Sequence, residues 1–232
     1  MSSTAPVTSS PPPATPPLPF TAALWDMDGT LVDTEPYWMR AETELMAAHG
    51  LHWDEELGEL MVGNPLLTSA EILRAHGLPL PAEVVVEKLL ERVVAQVRAH
   101  VPFRPGAAEL LADLRAHGIP CALVTMSYRS LAEAVVDACP AGTFASLVTG
   151  DEVTHGKPHP EPYLTGAAAL GAAPQECVAF EDSPPGLRSA VAAGTQAVAI
   201  PHIVDLPEVP EARVVSTLSG LTVTGLAELL RS

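Results

Sequence analysis

The stretch Leu24-Trp25-Asp26-Met27-Asp28-Gly29-Thr30-Leu31-Val32-Asp33-Thr34 breaks an apolar run with two carboxylates two positions apart and then a glycine. In an extended segment that spacing puts both acids on one face, and the turn begun at Gly29 raises them at the carboxyl end of a strand. Ligands bind there in open α/β sheets. An aspartate so placed can attack phosphorus as a covalent nucleophile, and a second carboxylate one step on can protonate a leaving oxygen or deprotonate a water. The plain alternative is a strand-end turn, where Asp and Gly are the usual residues. What decides between them is whether the remaining chain supplies a sheet, a cation and a phosphate holder.

Outward from that stretch, Phe20 to Trp25 reads as a buried strand, and residues 1–19, rich in Pro, Ser, Thr and Ala, read as a disordered tail. Without a basic start or an apolar centre, the tail does not resemble a signal peptide. Residues 35–100 change character and become helical. Trp38, Ala41, Leu45 and Ala48 recur at helical spacing, and Val86, Leu89, Leu90, Val93, Val94 and Val97 form a second stripe after Pro81. Glycines and prolines between the stripes mark shorter helices. From Val101 strands and helices alternate: strands at 119–124, 146–149, 177–180 and finally 196–200, helices at 105–117, 131–138, 161–170 and 186–193. That alternation implies βαβ units, a Rossmann-like parallel sheet, and strand ends gathered on one rim. The expected domains are therefore a core of residues 20–34 and 101–232 and a small helical insertion of residues 35–100.

Three more polar clusters fall directly after apolar strands. At Thr125-Met126-Ser127, a hydroxyl and nearby backbone N–H groups suit phosphate, although Ser127 or Ser130 could instead cap the following helix. At His155-Gly156-Lys157-Pro158-His159-Pro160, a lysine sits in a loop stiffened by two prolines. Such a lysine can hold a phosphate and screen crowded carboxylates. His155 and His159 lack a third ligand pattern and read as loop residues. At Glu181-Asp182-Ser183-Pro184-Pro185-Gly186, adjacent acids need a cation to offset their repulsion, or else form the acidic start of a helix. Mg²⁺ takes oxygen ligands, commonly one or two carboxylates beside a substrate phosphate, which Asp26, Glu181 and Asp182 can provide.

Bulk properties bound the partners. The 232-residue chain is 47% hydrophobic and carries 28 acidic against 12 basic residues, a formal net charge of −16, so nucleic acid and anionic membranes are not expected partners. An anionic substrate must then be held by local positive charge, and the only lysines are Lys88 and Lys157. Three cysteines, Cys121, Cys139 and Cys177, show no zinc spacing and form an odd set, so buried thiols in a reducing, cytoplasmic setting are expected. No membrane span is expected, and the protein is expected to be a monomer.

Together D-M-D-G-T-L-V-D-T-E-P, Thr125, G-K-P-x-P and E-D-S-x-x-G closely resemble, in order, the motifs of the haloacid dehalogenase superfamily of phosphatases, in the branch with a helical cap after the first strand. The resemblance spans residues 20 to about 225. It implies Asp26 as nucleophile, Asp28 as general acid/base, Thr125, Met126 and Ser127 as phosphate holders, and Lys157 as charge balancer. It also implies Mg²⁺ held by Asp26, Glu181, Asp182 and the Asp28 carbonyl. The segment from Glu35 to Glu42, followed by Met61 to Asn64, looks most like bacterial phosphatases of hexose, deoxyhexose or hexitol phosphates. Arg40, Asn64 and Arg129 are then candidate substrate contacts. Relatives that isomerise β-glucose phosphates typically carry a His near the position of Trp38 and an Arg-bearing loop near Asn64; neither is present here, so a phosphomutase is only the second reading. Asp28 argues against dehalogenation, which needs no leaving-group acid. A phosphometabolite-binding protein without turnover is the third reading.

Overall fold

The structure, a computed structural model, describes residues 17–61 and 65–232. After the first strand the chain leaves the sheet for four helices, α1 (Glu35–Ala48), α2 (Glu55–Glu59), α3 (Leu66–Ala75) and α4 (Ala82–Ala99). Pro at its N-terminal turn suits the start of α1, where no intrahelical N–H is required. The helix buries Ala41, Glu42, Leu45 and Met46. Ala48, expected on the apolar stripe, is exposed, and a carboxylate occupies the buried face instead. On α4 the expected stripe is buried at Val86, Leu89, Leu90, Val93 and Val97, with Val94 packed at its margin. The insert meets the sheet through a short backbone pairing in which Val32 bridges Phe103 and the Asp33 N–H donates to the Pro102 carbonyl at 2.8 Å.

The sheet has six parallel strands: β1 (Ala22–Trp25), β2 (Cys121–Val124), β3 (Ser146–Val148), β4 (Cys177–Glu181), β5 (Gln196–Ala199) and β6 (Ala212–Val214). Their order is β3-β2-β1-β4-β5-β6. Every residue of β1, β2 and β4 is buried, as continuous apolar strands of a two-sided parallel sheet must be. Alternation sorts them: Ala23, Trp25, Leu123, Val178 and Phe180 enter one core, while Ala22, Leu24, Val124 and Ala179 enter the other. The first core is covered by α5 (Ala107–Ala116), α6 (Arg129–Asp137) and α9 (Val223–Arg231), the second by α7 (Glu161–Ala169) and α8 (Pro184–Ala192).

The chain runs outward from β1 in one direction through β2 and β3 and in the other through β4 to β6. The switch in strand order therefore falls at β1, and a crevice opens at the carboxyl ends of its neighbours. The sequence reading ended the sheet at residue 200, and the structure corrects this by adding β6. Ala-Arg-Val at an edge, largely open to solvent, carries no apolar run from which a strand could be read. Cys121 and Cys177 are buried and none of the three cysteines is bonded to another. No helix among the described residues is long and apolar enough to cross a membrane.

Candidate active site

Asp26 follows the last residue of β1, and a tight turn carries the chain past it. The Leu31 N–H donates to the Met27 carbonyl at 2.9 Å, and the Gly29 N–H to the Val32 carbonyl at 2.7 Å. Gly29 has φ +87°, a conformation L side chains rarely adopt, and a Cβ there would fall inside the Asp182 carboxylate. Gly29→Ala is therefore expected to cost roughly 2 to 5 kcal/mol from backbone strain and overpacking. Urea unfolding would check this, and a stability matching the wild type would contradict it.

The turn brings distant strand ends together. Lys157 Nζ donates to Asp26 Oδ1 at 2.6 Å, to Glu181 Oε1 at 2.7 Å and to the Val124 carbonyl at 2.9 Å, so each ammonium proton has an acceptor. The Lys157 side chain is almost wholly buried. Burial alone would depress its pKa, but Asp26 and Glu181 outweigh that and hold it above the ordinary lysine value. Tyr163, fully buried on α7, donates from its hydroxyl to Glu181 Oε1 at 2.8 Å and sets its ring 5.1 Å from Lys157 Nζ. Glu181 Oε2 accepts from the Ser183 N–H at 3.2 Å and the Ser183 hydroxyl at 3.0 Å. Gly186 is tolerated where a Cβ would collide with that same carboxylate.

Asp28 lies beside this group in a ring of hydroxyls. Its Oδ1 accepts from Thr34 Oγ1 at 2.5 Å, and its Oδ2 accepts from Ser127 Oγ at 2.7 Å and Thr125 Oγ1 at 3.3 Å. Thr125 Oγ1 in turn accepts the Ser127 N–H at 3.0 Å. The capping alternative for Ser127 and Ser130 does not hold, because the residue preceding α6 is Tyr128 and no side chain caps that helix. Nor do Glu181 and Asp182 start α8, whose N-cap is Ser183. Met126 contributes its sulfur, which accepts the Lys157 backbone N–H at 3.3 Å.

Asp26, Glu181 and Asp182 place carboxylate oxygens within 4.8 Å of one another, with Lys157 the only cation among the described residues bonded to them. Three carboxylates against one ammonium leave an excess of two negative charges when all are ionised. Burial first, and Glu181 next, raise the pKa of Asp26 well above its ordinary value despite Lys157. The same two causes push Asp182 up to about 7 against the Thr30 hydrogen bond and Lys157. Among the described residues Asp26 Oδ2 is buried without a hydrogen-bond partner, and Asp182 Oδ1 accepts from Thr30 Oγ1 at 3.2 Å. A buried, unsatisfied oxygen in a doubly negative, all-oxygen cluster fits a divalent cation of the Mg²⁺ class.

Two expected substrate contacts are paired with acids in the structure. Arg40 lies on the exposed side of α1 and pairs with Glu44 at 2.9 Å, because the inward face of that helix is the one carrying Glu35 and Glu42. Arg129 is held by Glu152 through both guanidinium arms and approaches Glu133 at 3.6 Å, while its backbone N–H bonds Asp151. Those acids already use its charge. Asn64 lies outside the described residues. Glu161 supplies a third donor beside His155 and His159, but its oxygens accept the Thr154 and His155 N–H groups at 2.7 and 3.0 Å. That bonding makes the trio a brace for the Lys157 loop. Thr30, Thr34 and Ser183 stand inside the quoted motifs without having been singled out. Tyr163 gave no signal, since an aromatic at helical spacing reads as core.

Comparison with known proteins bears on this geometry. Residues 20–194 match the family model described as haloacid dehalogenase-like hydrolase. Hexitol phosphatase A of Escherichia coli (strain K12) is 37% identical over 203 residues, covering 87% of this chain and 93% of that protein. Validoxylamine A 7'-phosphate phosphatase of Streptomyces hygroscopicus subsp. limoneus is 32% identical over 202 residues, covering 84% and 92%. Among solved structures, CbbY from Rhodobacter sphaeroides in complex with phosphate superposes with a TM-score of 0.79 at 32% identity, covering 89% of this chain and 99% of that one. With most of its length matched by the family model, and carboxylates, lysine and hydroxyls gathered at the β1 switch point, the chain belongs to the haloacid dehalogenase-like hydrolases.

Proposed function

We propose that the protein hydrolyses small phosphate monoesters of the sugar or sugar-alcohol class, with Asp26 as covalent nucleophile. The observation that carries this reading is the state of Asp26. One of its oxygens is fixed by Lys157 and the other is buried and unpartnered, with the hydroxyl-ringed Asp28 two residues on. The relatives named hexitol phosphatase A and validoxylamine A 7'-phosphate phosphatase support the substrate class.

In this reading an Asp26 carboxylate oxygen attacks phosphorus in line while protonated Asp28 gives its proton to the departing alcohol oxygen. Asp28 then takes a proton from water, which attacks the aspartyl-phosphate and releases inorganic phosphate. Thr34, Thr125 and Ser127 hold the Asp28 carboxyl, and the last two sit where they can exchange that bond for phosphate oxygens. Lys157 offers positive charge beside the transferring group, where fixed electrostatics supply much of the catalysis. Asp26, Asp182 and Glu181, with the Asp28 carbonyl, would hold Mg²⁺. The ion would neutralise charge on the phosphoryl oxygens. The helical insert acts as the cap that limits water and selects the leaving group.

The test is phosphate release from p-nitrophenyl phosphate and a broad panel of metabolite phosphates. Release is expected to fall at least about 100-fold when EDTA removes the metal, and to return with Mg²⁺. Absence of phosphate release from every compound would overturn the reading. Conversion of β-glucose 1-phosphate to the 6-phosphate without free phosphate would instead mark a mutase.

A further inference from the structure

The loop that delivers Lys157 carries His155 two residues before it and His159 two residues after it, and neither takes part in the chemistry proposed above. The His159 N–H donates to the Gly156 carbonyl at 3.0 Å, a turn that folds the loop back on itself. The two imidazoles come together with ring centroids 4.6 Å apart and planes tilted by 32°. Glu161 opens α7 directly after Pro160. The His159 carbonyl accepts from Ser189 Oγ at 2.6 Å, which ties this end of the loop to α8.

In the sequence these histidines lack a third ligand, and the first turn of α7 supplies it. His155 Nδ1 lies 2.9 Å from Glu161 Oε2, and His159 Nδ1 lies 4.0 Å from the same oxygen. Two nitrogens and an oxygen held tetrahedrally at the bond lengths of zinc stand roughly 3.3 Å apart. The observed spacings bracket that value, and small rotations of exposed side chains close the difference. One ligand atom from each of the three residues falls within 4.8 Å of the others.

The bonds that make this trio a brace also prepare it for an ion. Glu161 Oε1 accepts the Thr154 N–H at 2.7 Å and Oε2 the His155 N–H at 3.0 Å, which fixes the carboxylate plane and leaves lone pairs for a metal. Carboxylates that bind metals are oriented by hydrogen bonds of this kind. His155 binds by moving its proton from Nδ1 to Nε2, so the neutral ring releases no proton. His159 Nδ1 already presents a lone pair, accepting the Glu161 N–H at 3.2 Å. In the first turn of α7 that N–H needs no intrahelical partner, and water can take it. The side chains of His155, His159 and Glu161 are 61%, 50% and 27% exposed, so an ion reaches them from solvent and water completes its shell.

We propose that His155, His159 and Glu161 bind one divalent transition-metal ion of the zinc class, separate from the Asp26, Glu181 and Asp182 cluster, and that the ion clamps the loop on both sides of Lys157. The two sites divide by donor type. Imidazole nitrogens select the zinc class, whereas the all-carboxylate cluster suits Mg²⁺. Lys157 reaches Asp26 and Glu181 from the turn between the two histidines, so the ion fixes both ends of the turn that presents it. This site stands or falls independently of the phosphate-monoester reading.

The experiment titrates Zn²⁺ by calorimetry into the full-length wild type, His155→Asn, His159→Asn and Glu161→Gln, with Mg²⁺ in excess to occupy the oxygen cluster. Wild type is expected to take up one zinc per chain, and each variant to bind it at least about tenfold more weakly. The histidine variants change exposed side chains, and Glu161→Gln keeps an oxygen for the Thr154 N–H, so all three should fold, as their Tm without zinc would show. Amide hydrogen exchange across residues 154–161 is expected to slow at least about tenfold when zinc binds the wild type, and to stay unchanged in the histidine variants. Equal zinc affinity in the wild type and both histidine variants places the ion elsewhere and overturns the site. Absence of zinc uptake by the wild type overturns it too. Zinc uptake that depends on the histidines but leaves exchange in the loop unchanged overturns the clamp.

Discussion

Replacing Asp26 with asparagine is expected to lower kcat/KM toward every phosphate monoester by ~10⁴-fold or more, because an amide oxygen cannot replace the carboxylate as nucleophile. The fold should persist. The carbonyl of the introduced amide can still accept from Lys157, and one of three crowded, buried carboxylates is removed, so Tm without metal should equal or exceed that of wild type. The rise in Tm that Mg²⁺ gives the wild type should shrink, since an anionic ligand is gone. Phosphate release and thermal unfolding with and without Mg²⁺ read both effects. Activity within tenfold of wild type would remove Asp26 from the nucleophile role. A large fall in metal-free Tm would mean that Asp26 is held for stability.

Lys157→Met is expected to have the largest effect on the fold. It removes three hydrogen bonds and leaves Asp26 and Glu181 facing each other in the protein interior without a cation. Breaking a buried ion pair from one side costs ~3 to 5 kcal/mol, and the loss of positive charge beside the phosphoryl group should lower kcat by ~10³-fold. The stability loss should depend on pH. Without Lys157, Asp26 binds its proton in the folded state at pH values where the unfolded chain has released it, so stability falls as pH rises through that interval. The destabilisation should therefore be larger at pH 8 than at pH 5, as urea unfolding at the two values would measure. An equal cost at both would mean that packing of the lysine stem, not its charge, is what the variant lost.

The three central strands that carry the site were legible because each is a short, continuous apolar run that stops at polar residues: Trp25 before Asp26, Val124 before Thr125, and Phe180 before Glu181. Burial on both faces of a parallel sheet requires such runs. β6 was not legible, because an edge strand of Ala, Arg and Val draws its stability from pairing with β5 and from little of its own pattern. The weakest expectations lay in the insert, where Arg40 was a candidate by residue type alone. The one charged residue among those α1 buries is Glu42, which an apolar-periodicity reading discards.

The sequence by itself determined the chemistry available to this protein. Two aspartates at fixed spacing, one lysine in a proline-framed loop and an acidic pair before Ser183 are written in the chain, the acids where apolar strand runs stop and the lysine in the loop that follows a third strand. Only the tertiary structure decided what each of those groups touches. That Tyr163 and Ser183 share Glu181 with Lys157, and that Asp26 keeps one oxygen unsatisfied, follow from strands and helices far apart in sequence packing together. Hydrogen bonds and charges act over a few ångströms, and residues such as Lys157 and Asp26, 131 positions apart, reach that range only when the sheet has formed.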